Sequence, residues 1–277
     1  MAEPVRLHHS ERGTGSPLVI LHGLYGSSSN WSRHAGWLAE RYRVIVPDLR
    51  NHGGSPHDAR MDYPAMAADL TLLLDECECP EAVVIGHSMG GKAAMALALT
   101  EPARVASLVV ADIAPVDYGS HAGGKAADKE AAGKEEHAAI LDAMAAVDFD
   151  SIERRSDVDA LLQPAVASNM VRQFLLMNLM RKDDGGWQWR IPVGLLREAL
   201  PDIAAFPFTT QTYRGPTLVL RGEHSNYIRD ADQEAIRRHF PNAEVEIIAG
   251  AGHWLPAEQA DSFARTLDDW LRQHSPR

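Results

Sequence analysis

Positive charge is scarce in this chain. Lys and Arg number 27 against 38 Asp and Glu, a net charge of −11 over 277 residues. That balance argues against nucleic acid or an anionic membrane as the main partner. Cysteine is scarcer still. Cys77 and Cys79 are the whole supply, too close in sequence to pair without strain and two ligands short of a metal centre. They read as reduced thiols near a helix end, with no metal, in a cytoplasmic protein. Long apolar runs are missing as well: none approaches the roughly 18 residues of a membrane span. The opening MAEPVRLHHSERGTGSP lacks the apolar core of a secretory signal.

What remains is ordinary for a globular protein: 45% hydrophobic and 23% charged residues, enough for one α/β unit with an insertion. Short β-rich runs alternate with helical patterns, the sign of a mostly parallel sheet flanked by helices. Strands are expected at Val5–His9, Leu18–Leu21, Val44–Val46, Ala82–Ile85, Leu108–Val110, Thr217–Leu220 and Glu244–Ile248. Helices are expected near Trp31–Arg41, Pro64–Glu76, Gly91–Thr100, Ala231–His239 and Ala257–Gln273. Asp62 ahead of Pro64 suits a helix start.

The alternation stops between about Val116 and Tyr213. No clear strand is visible there. An Ala/Lys/Glu-rich run reads as a solvated helix, and an apolar helical pattern surrounds residues 171–180. The expected division is a core of residues 1–115 and 214–277 with a mostly helical cap, 116–213, inserted after the strand that ends at Asp112.

The strongest chemical signal is Gly86-His87-Ser88-Met89-Gly90, between an apolar strand and an Ala-rich helix. A G-x-S-x-G run in that setting is a nucleophile elbow: glycines relieve a sharp turn and leave the serine hydroxyl exposed at a helix N-terminus. Serine is a weak nucleophile until a base takes its proton. His253, in AGAGHW after the last expected strand, stands where this architecture delivers its base. His87, inside the elbow, reads as structural, and His224 competes weakly. The turn His22-Gly23-Leu24-Tyr25-Gly26 follows an early strand and can aim the Leu24 N–H at the same point as the Met89 N–H. An oxyanion donor of this kind contributes about 3–4 kcal/mol.

The third group of such a site is an acid, and its usual place is empty. In one large enzyme superfamily the loop after such a strand usually carries a catalytic aspartate three residues past the glycine; here, three past Gly222, stands Ser225. Adjacent parallel strands end at one edge, about 4.8 Å apart. The strand Leu108–Val110 follows the Ser88 helix by one right-handed crossover and should lie beside the Ser88 strand. It ends in Asp112, which becomes the leading acid, with Glu223 as main rival and Asp117 and Asp230 behind.

With these residues in place the chain resembles the α/β-hydrolase superfamily over its whole length. HGLYGSSSNW (22–31), DLRNHGGSPH (48–57), GHSMGGK (86–92) and ADIAPVDY (111–118), in that order, look like the YbfF-type bacterial esterases, themselves similar to a mitochondrial branch. The resemblance implies hydrolysis of acyl esters and acyl-CoA thioesters without a cofactor. It also implies an acid drawn from the strand after the nucleophile, again Asp112. The Ala-rich stretch 122–146 is longer than the pattern, which leaves pocket shape open.

Residues expected to contact substrate are His22, Phe174, Trp187, Trp189, Tyr227 and Trp254, although for any one aromatic of the insertion a place in its own core is the better reading. Asn51 and His52 read as shaping the neighbouring loop. Ser88 excludes dehalogenases and epoxide hydrolases, which need aspartate at the elbow. Carbon–carbon hydrolase and haloperoxidase-like chemistry, or a slow-turnover small-molecule receptor, are the alternatives.

Overall fold

The computed structural model describes residues 3–119 and 127–275. Its first half runs β1 (His9–Arg12), β2 (Ser16–Leu21), α1 (Ser32–Leu38), β3 (Tyr42–Pro47), α2 (Tyr63–Glu76), β4 (Ala82–His87), α3 (Met89–Thr100) and β5 (Val105–Ala111). Next come α4 (Ala127–Ala145), α5 (Arg155–Leu162), α6 (Asn169–Leu176), β6 (Leu179–Arg181), β7 (Trp187–Trp189) and α7 (Val193–Ala204). The chain then rejoins the sheet with β8 (Thr217–Gly222), α8 (Gln233–His239), β9 (Ala243–Ile248), α9 (Leu255–Glu258) and α10 (Ala260–His274).

The seven-stranded sheet has the order β1-β3-β2-β4-β5-β8-β9. All neighbours are parallel except β1 on β3. The central strands are near-continuous apolar runs because both faces are covered. Val19, Leu21, Val84 and Val110 face α2, α3 and the inserted segment. Leu18, Ile20, Ile85 and Val109 face Leu38 of α1 and Phe263, Leu267 and Trp270 of α10. The period of two along each strand sends alternate residues to these two cores.

Three features depart most from the sequence expectation. The first strand is His9–Arg12 rather than Val5–His9. Leu7 is apolar because it is buried under the sheet edge, while the polar HSER segment makes the solvated antiparallel edge ladder. The C-terminal helix is split at Gln259. The inserted segment holds a two-stranded ribbon, pairing Leu179 with Trp189 and Arg181 with Trp187. Its turn contains Gly185 at φ 88°, and strands this short leave no readable periodicity.

The Ala/Lys/Glu run is helical from Ala127, and in its second half only one face is solvated: Glu136, Ala139 and Asp142 are exposed, while Ile140, Leu141 and Met144 are buried. Residues 120–126 of that run lie outside the described residues. Among the described residues no helix is long and apolar enough to cross a membrane.

Candidate active site

Ser88 stands alone between β4 and α3, with φ 53° and ψ −122°. An L-residue occupies that region only when its surroundings over-determine it. The Ser88 N–H donates to Ala111 O (3.0 Å), and the Lys92 N–H donates to Ser88 O (3.1 Å). Gly86 and Gly90 make the turn possible. A Cβ on Gly86 would collide with Gly90 O, and one on Gly90 with Leu21 O and His22 O.

From the serine a chain of hydrogen bonds runs inward. Ser88 Oγ lies 3.0 Å from His253 Nε2, and His253 Nδ1 lies 2.8 Å from Asp112 Oδ2. With Nδ1–H donating to the carboxylate, Nε2 is the lone-pair nitrogen, ready to take a proton from the hydroxyl. Asp112 is 0% exposed and, like Ser88, sits at positive φ (54°), which aspartate tolerates better than most residues. A buried carboxylate needs donors. Asp112 receives Gly222 N–H on Oδ1 (3.0 Å) and the Ser225 hydroxyl on Oδ2, and the Tyr227 N–H donates to Ser225 Oγ (3.2 Å).

Two aromatic groups hold the imidazole. Tyr227 stacks on His253 with ring centroids 3.7 Å apart and planes at 17°. His87 donates Nε2–H to His253 O (2.7 Å). Burial, and then the neighbouring His253, push His87 down to about 3, so it is neutral and serves as a fixed donor.

The turn after β2 is bracketed by two further neutral histidines. His22 donates Nδ1–H to Gly23 O (2.8 Å) and accepts the Leu49 N–H on Nε2 (2.9 Å). His52 donates to Arg50 O (2.9 Å) and accepts the Tyr25 N–H (3.2 Å). Burial lowers both, His52 to about 3. The bracketed turn brings Leu24 to a cavity of about 110 Å³ that Ser88 and Met89 also line. Ile113, Tyr118, Leu200 and Ile203 make most of its wall apolar, with His137, Lys92, Asn226 and Tyr227 as polar exceptions.

This arrangement can deprotonate a hydroxyl and stabilise the imidazolium that results. Residues 16–260 match the α/β-hydrolase fold family. The chain belongs to that family. It is 40% identical over 263 residues to a Xenopus laevis protein named sn-1-specific diacylglycerol lipase ABHD11, covering 93% of this chain and 80% of that one. It is 37% identical over 256 residues to Esterase YbfF of Escherichia coli (strain K12), covering 92% and 93%. Among solved structures, a marine microorganism esterase superposes with a TM-score of 0.89 at 36% identity, covering 96% of this chain and 100% of that one.

Within this α/β hydrolase the other expected site residues fall into two groups. Tyr227, Leu24 and Met89 line the Ser88 cavity. His22, Phe174 and Trp254 line a second cavity of about 250 Å³ together with Gly23 and His87, and the Phe174 and Trp254 rings meet edge to face at 4.4 Å. His22 has both ring nitrogens engaged, so its polar atoms bracket the turn. Trp187 and Trp189 line neither cavity. Trp187 donates to Glu153 O (3.3 Å) under the Arg181 guanidinium. Trp189 donates to Met144 O (2.8 Å). Their apolar faces cover the interior of the inserted segment, whose own core needs large side chains.

The rival acids are engaged elsewhere. Glu223 is half exposed and accepts the Gly250 N–H (2.7 Å). Asp230 pairs with Arg221 at the surface, and the Asp117 carboxylate accepts the Gly119 N–H (2.7 Å). His224 is exposed beside Glu223.

Among the residues at the Ser88 cavity that the sequence did not reveal are His137, Lys92 and Tyr118. His137 lies in the Ala/Lys/Glu run, which carries no chemical pattern. Lys92 lay in plain view within GHSMGGK. Tyr118 closes ADIAPVDY, and its hydroxyl donates to Tyr227 O (2.5 Å) and accepts the Ala114 N–H (2.9 Å).

The cysteines are unpaired and buried at the end of α2. Cys77 shares a cluster with His9 and Glu11 whose ligand atoms lie within 4.8 Å of one another. Both Glu11 carboxylate oxygens are already paired with Arg43 (2.8 and 2.9 Å), and that cation opposes a metal there.

Proposed function

We propose that this protein is a serine hydrolase of carboxylic esters and thioesters, working through Ser88, His253 and Asp112. The observation that carries the reading is the hydrogen-bonded chain from Ser88 to Asp112, opening from a strained elbow onto an apolar cavity. Ser88 Oγ attacks the acyl carbonyl while His253 Nε2 takes its proton. Asp112 holds the imidazole tautomer and stabilises the imidazolium. The Leu24 and Met89 N–H groups receive the oxyanion. The tetrahedral intermediate collapses, His253 returns the proton to the departing alcohol or thiol, and water then releases the acyl group by the same relay. The scheme draws on no metal and no organic cofactor.

The inserted segment, residues 116–213, acts as a cap over the core formed by 1–115 and 214–277. Its α7 supplies Leu200, Ile203 and Ala204 to the cavity. The acyl chain lies among these side chains and Ile113, so the substrate class is an uncharged acyl group on an alcohol or on a thiol such as coenzyme A.

A panel of p-nitrophenyl acyl esters and acyl-CoAs tests this reading, together with active-site labelling by a fluorophosphonate. Sustained turnover is expected, with the label on Ser88, and Ser88→Ala should fall to background. A single burst without steady turnover would instead fit a receptor that keeps the triad. Labelling of another residue would overturn the assignment.

A further inference from the structure

Lys92 is 1% exposed, and no step of the scheme above uses it. Its helix, α3, begins at the nucleophile, and its own N–H is the one that donates to Ser88 O. From there the side chain reaches the wall of the Ser88 cavity. Nζ donates to Val116 O (2.8 Å), Ala204 O (2.7 Å) and Ala205 O (2.9 Å). An ammonium has three donors and no acceptor, so every one is engaged. The Tyr118 and Tyr63 rings stand 4.6 and 5.5 Å from Nζ, and Phe206 stands 5.9 Å away. An ammonium is costly to bury unless it is satisfied in this way.

The three acceptors belong to two different stretches of chain. Val116 lies on the leg that leaves the sheet after β5. Ala204 ends α7 and Ala205 caps it, on the leg that returns towards β8. The last carbonyls of a helix have no partner within it and carry the negative end of its dipole, so a buried cation suits them. The legs are also tied to each other, by the Tyr118 N–H on Ala204 O (3.0 Å). α7, held at its end by Lys92, is the helix that brings Leu200 and Ile203 to the cavity.

We propose that Lys92 is a positioning residue that fastens both legs of the inserted segment above Ser88 and thereby sets which acyl chains the cavity accepts. The specificity half of this rests on the hydrolase reading; the fastening half does not. The span between the nucleophile and the α7 wall is fixed through one side chain, four residues along from Ser88. A methionine of similar length fills the slot but offers the carbonyls nothing, which frees the legs and lets the α7 wall drift.

Kinetics of Lys92→Met on p-nitrophenyl esters from acetyl to dodecanoyl, with hydrogen exchange on the unliganded protein, test both halves. The loss in kcat/KM should grow with chain length and be carried mainly by KM. It should run from a few-fold on acetate to about a hundredfold on the longest ester, as expected when binding groups are misplaced by about 1 Å. Amides of residues 114–119 and 203–208 should exchange faster, with those of β4 and β5 unchanged. An equal loss at every chain length, or unchanged exchange in the two legs, would overturn the proposal. The same readings on Lys92→Gln, which leaves the carbonyls a polar partner, decide the matter should the methionine variant not fold. Wild-type protein inert on every ester would sink the hydrolase reading, while the exchange measurement still judges the fastening.

Discussion

The loops that follow β5 and β8 leave adjacent strands of similar make-up, SLVVA and TLVLRG, yet they do opposite work at His253. The first carries the charge: Asp112, fully buried, at positive φ, its Oδ2 on His253 Nδ1. The second carries the donors: Gly222 N–H on one oxygen of that carboxylate and the Ser225 hydroxyl on the other. An acid in both loops would set two buried carboxylates against each other and force one to stay protonated. An acid in neither would leave the imidazolium unsupported. Charge on one strand end and its hydrogen-bond donors on the next is the consistent arrangement. Either strand could host the charge because parallel neighbours end at the same edge.

Four substitutions break or sharpen that contrast. Asp112→Asn should cost most, on the order of 10⁴ in kcat on an acyl ester, because an amide stabilises neither the right tautomer nor the imidazolium. Near-normal turnover in that variant would place the acid elsewhere. Adding Ser225→Asp to Asp112→Asn moves the carboxylate one strand over. About a hundredfold recovery over the single variant is expected, part of what a correctly held acid contributes. No recovery in a folded double variant, judged by its thermal transition, would mean that the β8 loop no longer points at the imidazole.

Ser225→Ala alone removes one donor from a buried carboxylate. A charged hydrogen bond of about 1.5–3 kcal/mol is lost, and a drop of about tenfold in kcat should accompany a modest fall in Tm. Glu223→Gln should be smallest, within about twofold, since its carboxylate caps an exposed turn at Gly250. A large loss there, with Asp112→Asn active, would reverse the comparison.

How legible each feature was depended on how local its cause is. The elbow is written in five residues, because Gly86 and Gly90 answer a steric demand within the turn itself. The strand order near the site followed from a general rule, that one right-handed crossover lays β5 beside β4. The first strand was misplaced because Leu7 is apolar for packing and not for pairing. The aromatics of the inserted segment went unsorted for the same kind of reason. A tryptophan on a short ribbon looks alike whether it faces a ligand or its own core, and Trp189 turned out to serve Met144.

By itself, then, the sequence determined the parallel α/β sheet, the strained serine after β4, and the placement of Asp112 at the end of the strand beside it. All of these rest on steric or connective rules that act within a few residues or one crossover. Only the tertiary structure decided that Ser225 and Gly222 feed hydrogen bonds into Asp112, that Tyr227 stacks on His253, and that Lys92 ties Val116 to Ala204 and Ala205. Those contacts join residues far apart in the chain, and nothing local in the sequence says which carbonyl, ring or hydroxyl will arrive opposite which partner.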